Sequence, residues 1–224
     1  VADLTFDDVD TRVDANVRRA LRGGVWLAPE GTALPTTLTV DSTGSPGTPT
    51  LNAFGASFKG LGWLDDSGAV VSSAVTSSDV TGWGGVEPVR RDIISDVTTF
   101  HIVGLESRLS TMATYFSVDP ATITADSTTG EVSIQKPTTP VAMYYAGIIL
   151  AVDGPVSAEI YQAYFCPRIS LTDKGDQAFA SGDGDQVKWD MTLTAYTDAT
   201  AGYAVDFRSG GAGWQDILSG MGFS

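Results

Sequence analysis

Val187-Lys188-Trp189-Asp190-Met191-Thr192-Leu193-Thr194-Ala195-Tyr196 alternates apolar and polar residues without a break. Successive side chains of a strand point to opposite faces, so this pattern predicts a strand with one buried and one wet face. A helix would need its apolar positions three and four apart instead. Upstream, 131–136, 141–152 and 158–171 are strand candidates, divided by Pro137, Pro140 and Asp153-Gly154-Pro155. Downstream, 202–207 is a last strand, followed from Arg208 by a Gly-rich tail carrying Trp214, Ile217, Leu218, Met221 and Phe223.

Earlier in the chain the period changes once. Leu105, Leu109, Met112, Ala113 and Phe116 form one apolar stripe at helical spacing, and Pro120 stops it. Val86–Val103 reads as two strands, or as one with a break near Asp92–Asp96. Asp65–Gly85 is a long polar loop whose inner part can pair as a short hairpin, and 57–64 is a further strand. Asp41–Pro49 (DSTGSPGTP) is a turn-rich loop. Val13, Val17 and Leu21 before Gly23-Gly24 predict a short helix of about three turns. Thr, Ser and Val dominate the rest, and β-branched residues fit a pleated surface better than a helix. The fold class is therefore all-β and mainly antiparallel: a β-sandwich or partial barrel with one flanking α-helix and extended terminal arms.

The chain has 224 residues, with 13 Lys and Arg against 27 Asp and Glu, for a net charge of −14. A phosphate-gripping nucleic-acid binder needs the opposite sign, and an anionic membrane surface repels this one. The opening residues mix Asp with Arg rather than setting an apolar run behind a basic start, unlike a secretory leader. The longest apolar stretch, 141–152, is too short to span a bilayer.

Catalytic signals are missing. The single histidine, His101, lies in a predicted strand, and no G-x-S-x-G elbow or phosphate-cradling Gly motif occurs. Cys166, the only cysteine, reads as a small apolar filler and excludes an internal disulfide. Asp173, Asp176, Asp183 and Asp185 cluster in Gly-rich turns, where carboxylates either cap their own backbone or hold a cation. Position twelve of an EF-type loop counted from Asp183 would be Thr194 rather than Glu. No catalytic, cofactor or metal residue is assigned. Trp83 and Trp214 suit either sugar stacking or a subunit interface.

Three segments carry a family resemblance: GGVWLAPEGTALPTT from Gly23, FKGLGWLDDSGAV from Phe58, and GWGGVEPVRRDIISDVTTFHIVGLES from Gly82. With the closing VKWDMTLTAYTD, the region 23–207 resembles the major tail tube proteins of long, non-contractile-tailed phages (siphophage type), especially those of actinobacterial hosts. The resemblance implies a structural virion protein, made in the host cytoplasm, whose hexameric rings stack into a tail tube that delivers DNA. It implies a 23–207 tail-tube domain, an N-terminal arm at 1–22 and a C-terminal arm at 208–224. Asp65–Gly85 matches the family's long strand-connecting loop. Here the N-terminal extension is more acidic, and the tail is apolar and Gly-rich.

Arg18, Arg19, Arg22, Asp65, Asp66, Trp83, Trp214 and Phe223 are then the candidate contacts between subunits or rings. The implied partners are further copies of the chain and the tape-measure, tail-terminator and distal tail proteins, with DNA passing through unbound. No membrane and no cofactor are implied. The alternative is a non-catalytic β-sandwich that binds carbohydrate or acts as an adhesin through Trp63, Trp83 or Trp214.

Overall fold

A computed structural model describes residues 4–42, 47–139, 141–182 and 186–223. Ten strands are found among these residues: β1 Arg22–Pro29, β2 Thr39–Asp41, β3 Pro49–Leu51, β4 Lys59–Gly60, β5 Leu64–Thr81, β6 Pro88–Gly104, β7 Tyr144–Asp153, β8 Ile160–Lys174, β9 Trp189–Ala195 and β10 Asp206–Gly210. Three α-helices accompany them: α1 Phe6–Val9, α2 Leu109–Phe116 and α3 Ala212–Ile217. Eight strands form one antiparallel sheet in the order β4-β1-β7-β8-β9-β6-β5, with β10 paired to β8 off that path, while β2 and β3 pair separately. The architecture is all-β and mainly antiparallel, as the alternation and composition predict.

The strand β7 sits at the centre and is buried on both faces. Tyr145 and Ile149 enter one apolar cluster, whereas Ala146, Ile148, Leu150 and Val152 enter another. This explains its nearly unbroken apolar run, because a strand with no wet face has no polar positions to alternate with. Beside it β8 serves two strands along one edge: Tyr161–Phe165 pair with β10, and Ile169–Lys174 pair with β9. Between these stretches the register against β7 shifts, with Pro167 and Arg168 opposite Ala146. Proline has no N–H to donate to a ladder, so a bulge is where a strand tolerates it.

The first cluster lies inside a curl of the sheet. Val25 and Leu27 of β1 pack with Phe100 and Ile102 of β6 and with Met191 and Leu193 of β9, although β1 and β6 are far apart in strand order. The result is a partial barrel. One mouth is closed by α2, whose Tyr115 and Phe116 meet the Trp189 ring edge-on at 5.3 and 6.0 Å. Two hydroxyls fasten the helix: Ser110 Oγ donates to the Gly60 carbonyl at 2.8 Å, and Thr111 Oγ1 to that of Leu61 at 2.7 Å. The second cluster is covered by β2, β3 and the irregular chain around them, through Leu34, Leu38, Leu51, Phe54 and Phe58. Full burial of each such side chain contributes about 1.5–3 kcal/mol.

Several expectations are corrected. The Asp65–Gly85 loop is instead β5 and the turn after it, paired with β6 from Leu64↔Gly104 to Thr81↔Pro88. Val70, Val71, Val75, Thr76 and Val80 are β-branched and favour a strand, and pairing with β6 extends the ladder far beyond the core. The suspected break near Asp92–Asp96 is a bulge within one strand: Thr76 faces Ser95 and Ser77 faces Ile93, leaving Ile94 unpaired. The three-turn helix expected over Val13–Leu21 is only a single 3-10 turn, Asp14–Asn16, preceded by the short α1. An isolated helix of that length is marginal in water, and extended chain lets Leu21 N–H donate to the Val152 carbonyl at 3.0 Å instead. The mid-chain helix starts at Leu109 rather than 105 and ends at Ser117, a left-handed C-cap.

The strand expected at 131–136 reduces to an isolated bridge between Ala125 and Val132, and that expected at 57–64 to the two residues of β4. The tail adds α3, which packs beside β8 and β10. No helix among the described residues is long and apolar enough to cross a membrane. The turn at 41–49 falls partly outside the described residues.

Candidate functional site

The hairpin β5–β6 is the longest feature of the molecule, with strands of 18 and 17 residues. Its foot belongs to the core, since β9 pairs with β6 at Thr99–Gly104. Beyond Ser73↔Thr98 the two strands pair with each other alone, forming a ribbon free on both edges and both faces. Val75, Val80, Val89, Ile93 and Ile94 are each half exposed or more. At the tip the turn places Gly84 at φ +78, in the left-handed region that suits glycine. Beside it Trp83 is fully exposed.

Side-chain bonds stiffen the ribbon. Arg91 Nε donates to Asp79 Oδ1 at 2.7 Å between directly opposed residues, and Ser73 Oγ donates to Asp96 at 2.9 Å. The Arg91 guanidinium holds the Asp79 carboxyl below its ordinary value, and Asp79 raises Arg91 in return. A two-stranded hairpin with no third strand is marginal in water, and these side-chain bonds add to what holds this one.

A second surface lies on the face of β5, β6, β9 and β8 turned away from the partial barrel. Ser72 stands opposite Thr99, Thr99 opposite Thr194, and Thr194 opposite Ser170, in one row across four strands. Thr172 Oγ1 lies 2.7 Å from Thr194 Oγ1. His101 sits on the same face opposite Thr192, with Nε2 2.8 Å from Asp190 Oδ1. Within this row Ser72 is exposed and Thr99 half-buried, whereas Thr194 and Ser170 are buried.

The sequence-predicted contact residues fall in three places. Arg18 reaches Asp153 at 3.7 Å, and the Arg19 backbone N–H donates to the same carboxylate at 3.2 Å. Arg22 pairs with Glu159, while the Arg19 guanidinium makes no ion pair among the described residues. Near this end Asn16 Nδ2 donates to the Gly220 carbonyl at 3.1 Å, and Trp214 packs against Phe223 with centroids 6.0 Å apart. Both termini therefore meet. Asp65 and Asp66 lie at the foot of the hairpin on the rim of an open groove of about 900 Å³, and Trp83 is at the far tip. Sequence reasoning missed the exposed Val and Ile of the ribbon and the hydroxyl wall. The one available signal was the content of Val, Thr and Ser from Val70 to Val80, which has no period-two alternation and whose polar residues suggest a loop.

Cys166 is buried beneath the curl, and burial pushes its thiol up to about 12. Asp183 and Asp185 lie outside the described residues, and among the described residues no three metal-ligating side chains converge. No curated protein matches this chain. The sequence model of one family, described as phage tail tube protein, matches residues 11–207. That span takes in the curled sheet, its helix and the whole projecting hairpin, so the chain belongs to the phage tail tube protein family and is a structural component of the virion tail.

Proposed function

We propose that six copies of this chain close into a ring, that rings stack into the tube of a long non-contractile tail, and that DNA passes down its bore into the host. The observation that carries this is the outer ribbon of β5–β6, which leaves apolar side chains and two strand edges uncovered. Exposed strand edges are aggregation hazards unless paired, and pairing with copies of the same chain removes them. A contact between two different surfaces propagates into rings or filaments rather than stopping at a dimer.

The hydroxyl wall of β8, β9, β6 and β5 is the best candidate for the bore. Its Ser72 is exposed and its Thr99 half-buried in the single chain, and its row of hydroxyls offers DNA no run of cations. With a net charge of −14 per copy, passing DNA meets repulsion rather than adhesion. The tape-measure, tail-terminator and distal tail proteins would meet the ends of the stack, and the chain would be made in the host cytoplasm. Residues 1–22 and 208–224 are read as arms around the 23–207 body, with β10 running through residue 207.

Trp63, Trp83 and Trp214 sit on different elements, with Trp214 already packed on Phe223, so nothing favours the carbohydrate-binding alternative. Negative-stain microscopy of concentrated protein tests the proposal. Stacked rings or hollow tubes support it, and a persistent monomer that binds polysaccharide overturns it.

A further inference from the structure

Both ends of the chain converge on one short turn. Between β7 and β8 it runs Asp153-Gly154-Pro155-Val156-Ser157-Ala158-Glu159, with a 3-10 turn at Val156–Ala158. Asp153 holds the N-terminal side. Its Oδ2 accepts the Arg19 N–H and lies 3.7 Å from the Arg18 guanidinium, the two side chains of that pair being only 20% and 19% exposed. Its Oδ1 accepts the Gly154 N–H at 2.8 Å, which fixes the carboxylate in place. Glu159 holds both sides. Its carboxylate takes Arg22 on one oxygen and the Tyr161 hydroxyl on the other. Burial first, and then Glu159, push that hydroxyl up to about 12, so it stays a donor at neutral pH. The Glu159 backbone carbonyl accepts the Gly213 N–H of α3 at 3.1 Å. This approach needs glycine at 213, because a Cβ there would run into the Ala158 carbonyl. The bond from Asn16 to the Gly220 carbonyl closes the circuit between the two ends.

We propose that this turn is a clasp coupling the two ends of the chain, so that loosening either the 16–22 segment or the tail from Ala212 loosens the other. Neither end is held by buried area. Leu4, Phe6, Val9, Val13, Val17 and Leu21 are all exposed, so the N-terminal segment buries no large apolar side chain among the described residues. From Arg18 to Arg22 it is carried by the two carboxylates and by the Leu21 bond to Val152. The helix α3 has six residues, of which only Gly213 is buried, and a helix that short does not persist in water by itself. Segments attached by a few bonds rather than by packing open locally at low free energy. Because both are bonded to Glu159, opening at one end changes what the other is fastened to, and such coupling is reciprocal. The coupling is a property of the single chain. Its consequence rests on the tube reading above: the arms at 1–22 and 208–224 are held or released as one unit.

Hydrogen exchange of the full chain, read on peptides covering 16–22 and 212–218, tests the clasp, with 145–151 of β7 as the internal reference. Arg22→Gln alters only the N-terminal side. It is expected to speed exchange roughly threefold, the scale of a half-exposed ion pair, in 212–218 as well as in 16–22. Arg22→Lys keeps the charge and should return both peptides to near their wild-type rates. Gly213→Ala alters only the tail and should speed exchange in 16–22 by a similar factor. Acceleration confined to the substituted end in both Arg22→Gln and Gly213→Ala overturns the clasp and leaves the tube reading intact. Should either variant also speed 145–151, Asn16→Ala decides by the same comparison, because it removes only an exposed bond to Gly220. An unchanged 212–218 peptide in that variant overturns the proposal. Wild-type protein that never forms rings or tubes overturns the tube reading and, with it, the assembly consequence, while the exchange data still decide the clasp.

Discussion

Strands β7 and β5 share one sheet and have opposite fates. In β7 almost every residue from Tyr145 to Val152 is buried, because a covered face lies on each side. In β5 everything from Val71 to Thr81 is exposed, although it pairs with β6 along its length apart from two bulges. Pairing differs as well: β7 lies between β1 and β8, whereas β5 is an edge strand bonded to β6 alone. The two strands thus differ both in a free edge and in whether anything in the same chain covers the side chains. A strand that is paired but uncovered is the mark of a surface that waits for another molecule.

The largest expected effect lies in the twice-covered strand. Ile148→Ala removes a fully buried side chain and is expected to cost about 2–5 kcal/mol, read as a lowered Tm of the isolated chain. An equal truncation in the ribbon, Ile93→Ala, is expected to change the stability of the isolated chain by under about 0.5 kcal/mol while slowing tube formation. Comparable losses from both would erase the contrast between the strands.

Next comes hydrogen exchange. In the isolated chain, Ser72–Thr81 and Pro88–Val97 are expected to exchange far faster than Phe100–Val103, and to become protected on assembly. Protection of the ribbon in the isolated chain equal to that of its foot would mean that it is already covered.

The smallest effect concerns acid. Asp79 is held below its ordinary value of 3.8 by Arg91. Its contribution is therefore complete above that value and is lost as pH falls through the lowered one. Exchange in the outer ribbon should quicken at low pH in the wild type. Asp79→Asn should remove that increment while the foot is unaffected.

The contrast also explains what could be read from residues alone. The alternation of 187–196 and the covered run of 141–152 each encode a local relation between period and burial that appears in the fold, whereas α2 forms but buries Thr111, Ala113, Thr114 and Tyr115 and leaves Leu109 of the predicted stripe exposed. The ribbon was misread because its residues obey strand preference without burial, and polar Ser and Thr mimic a loop. The helix expected over 13–21 failed for the reverse reason. Val13, Val17 and Leu21 have the spacing, but Val17 and Leu21 remain exposed, with no partner surface to reward the period. The aromatic residues were visible as candidates. Their separation into a packed pair, Trp214 with Phe223, and a lone Trp83 depends on tertiary structure that no local pattern contains.

One measurement bears most directly on the central claim that uncovered surfaces of this chain are completed by its own copies. A helical reconstruction of tubes assembled from the purified protein should show the β5–β6 ribbon buried between copies and the row of Ser72, Thr99, Thr194 and Ser170 facing the lumen. Tubes in which the ribbon still projects into solvent, or in which that row faces outward, would contradict the account.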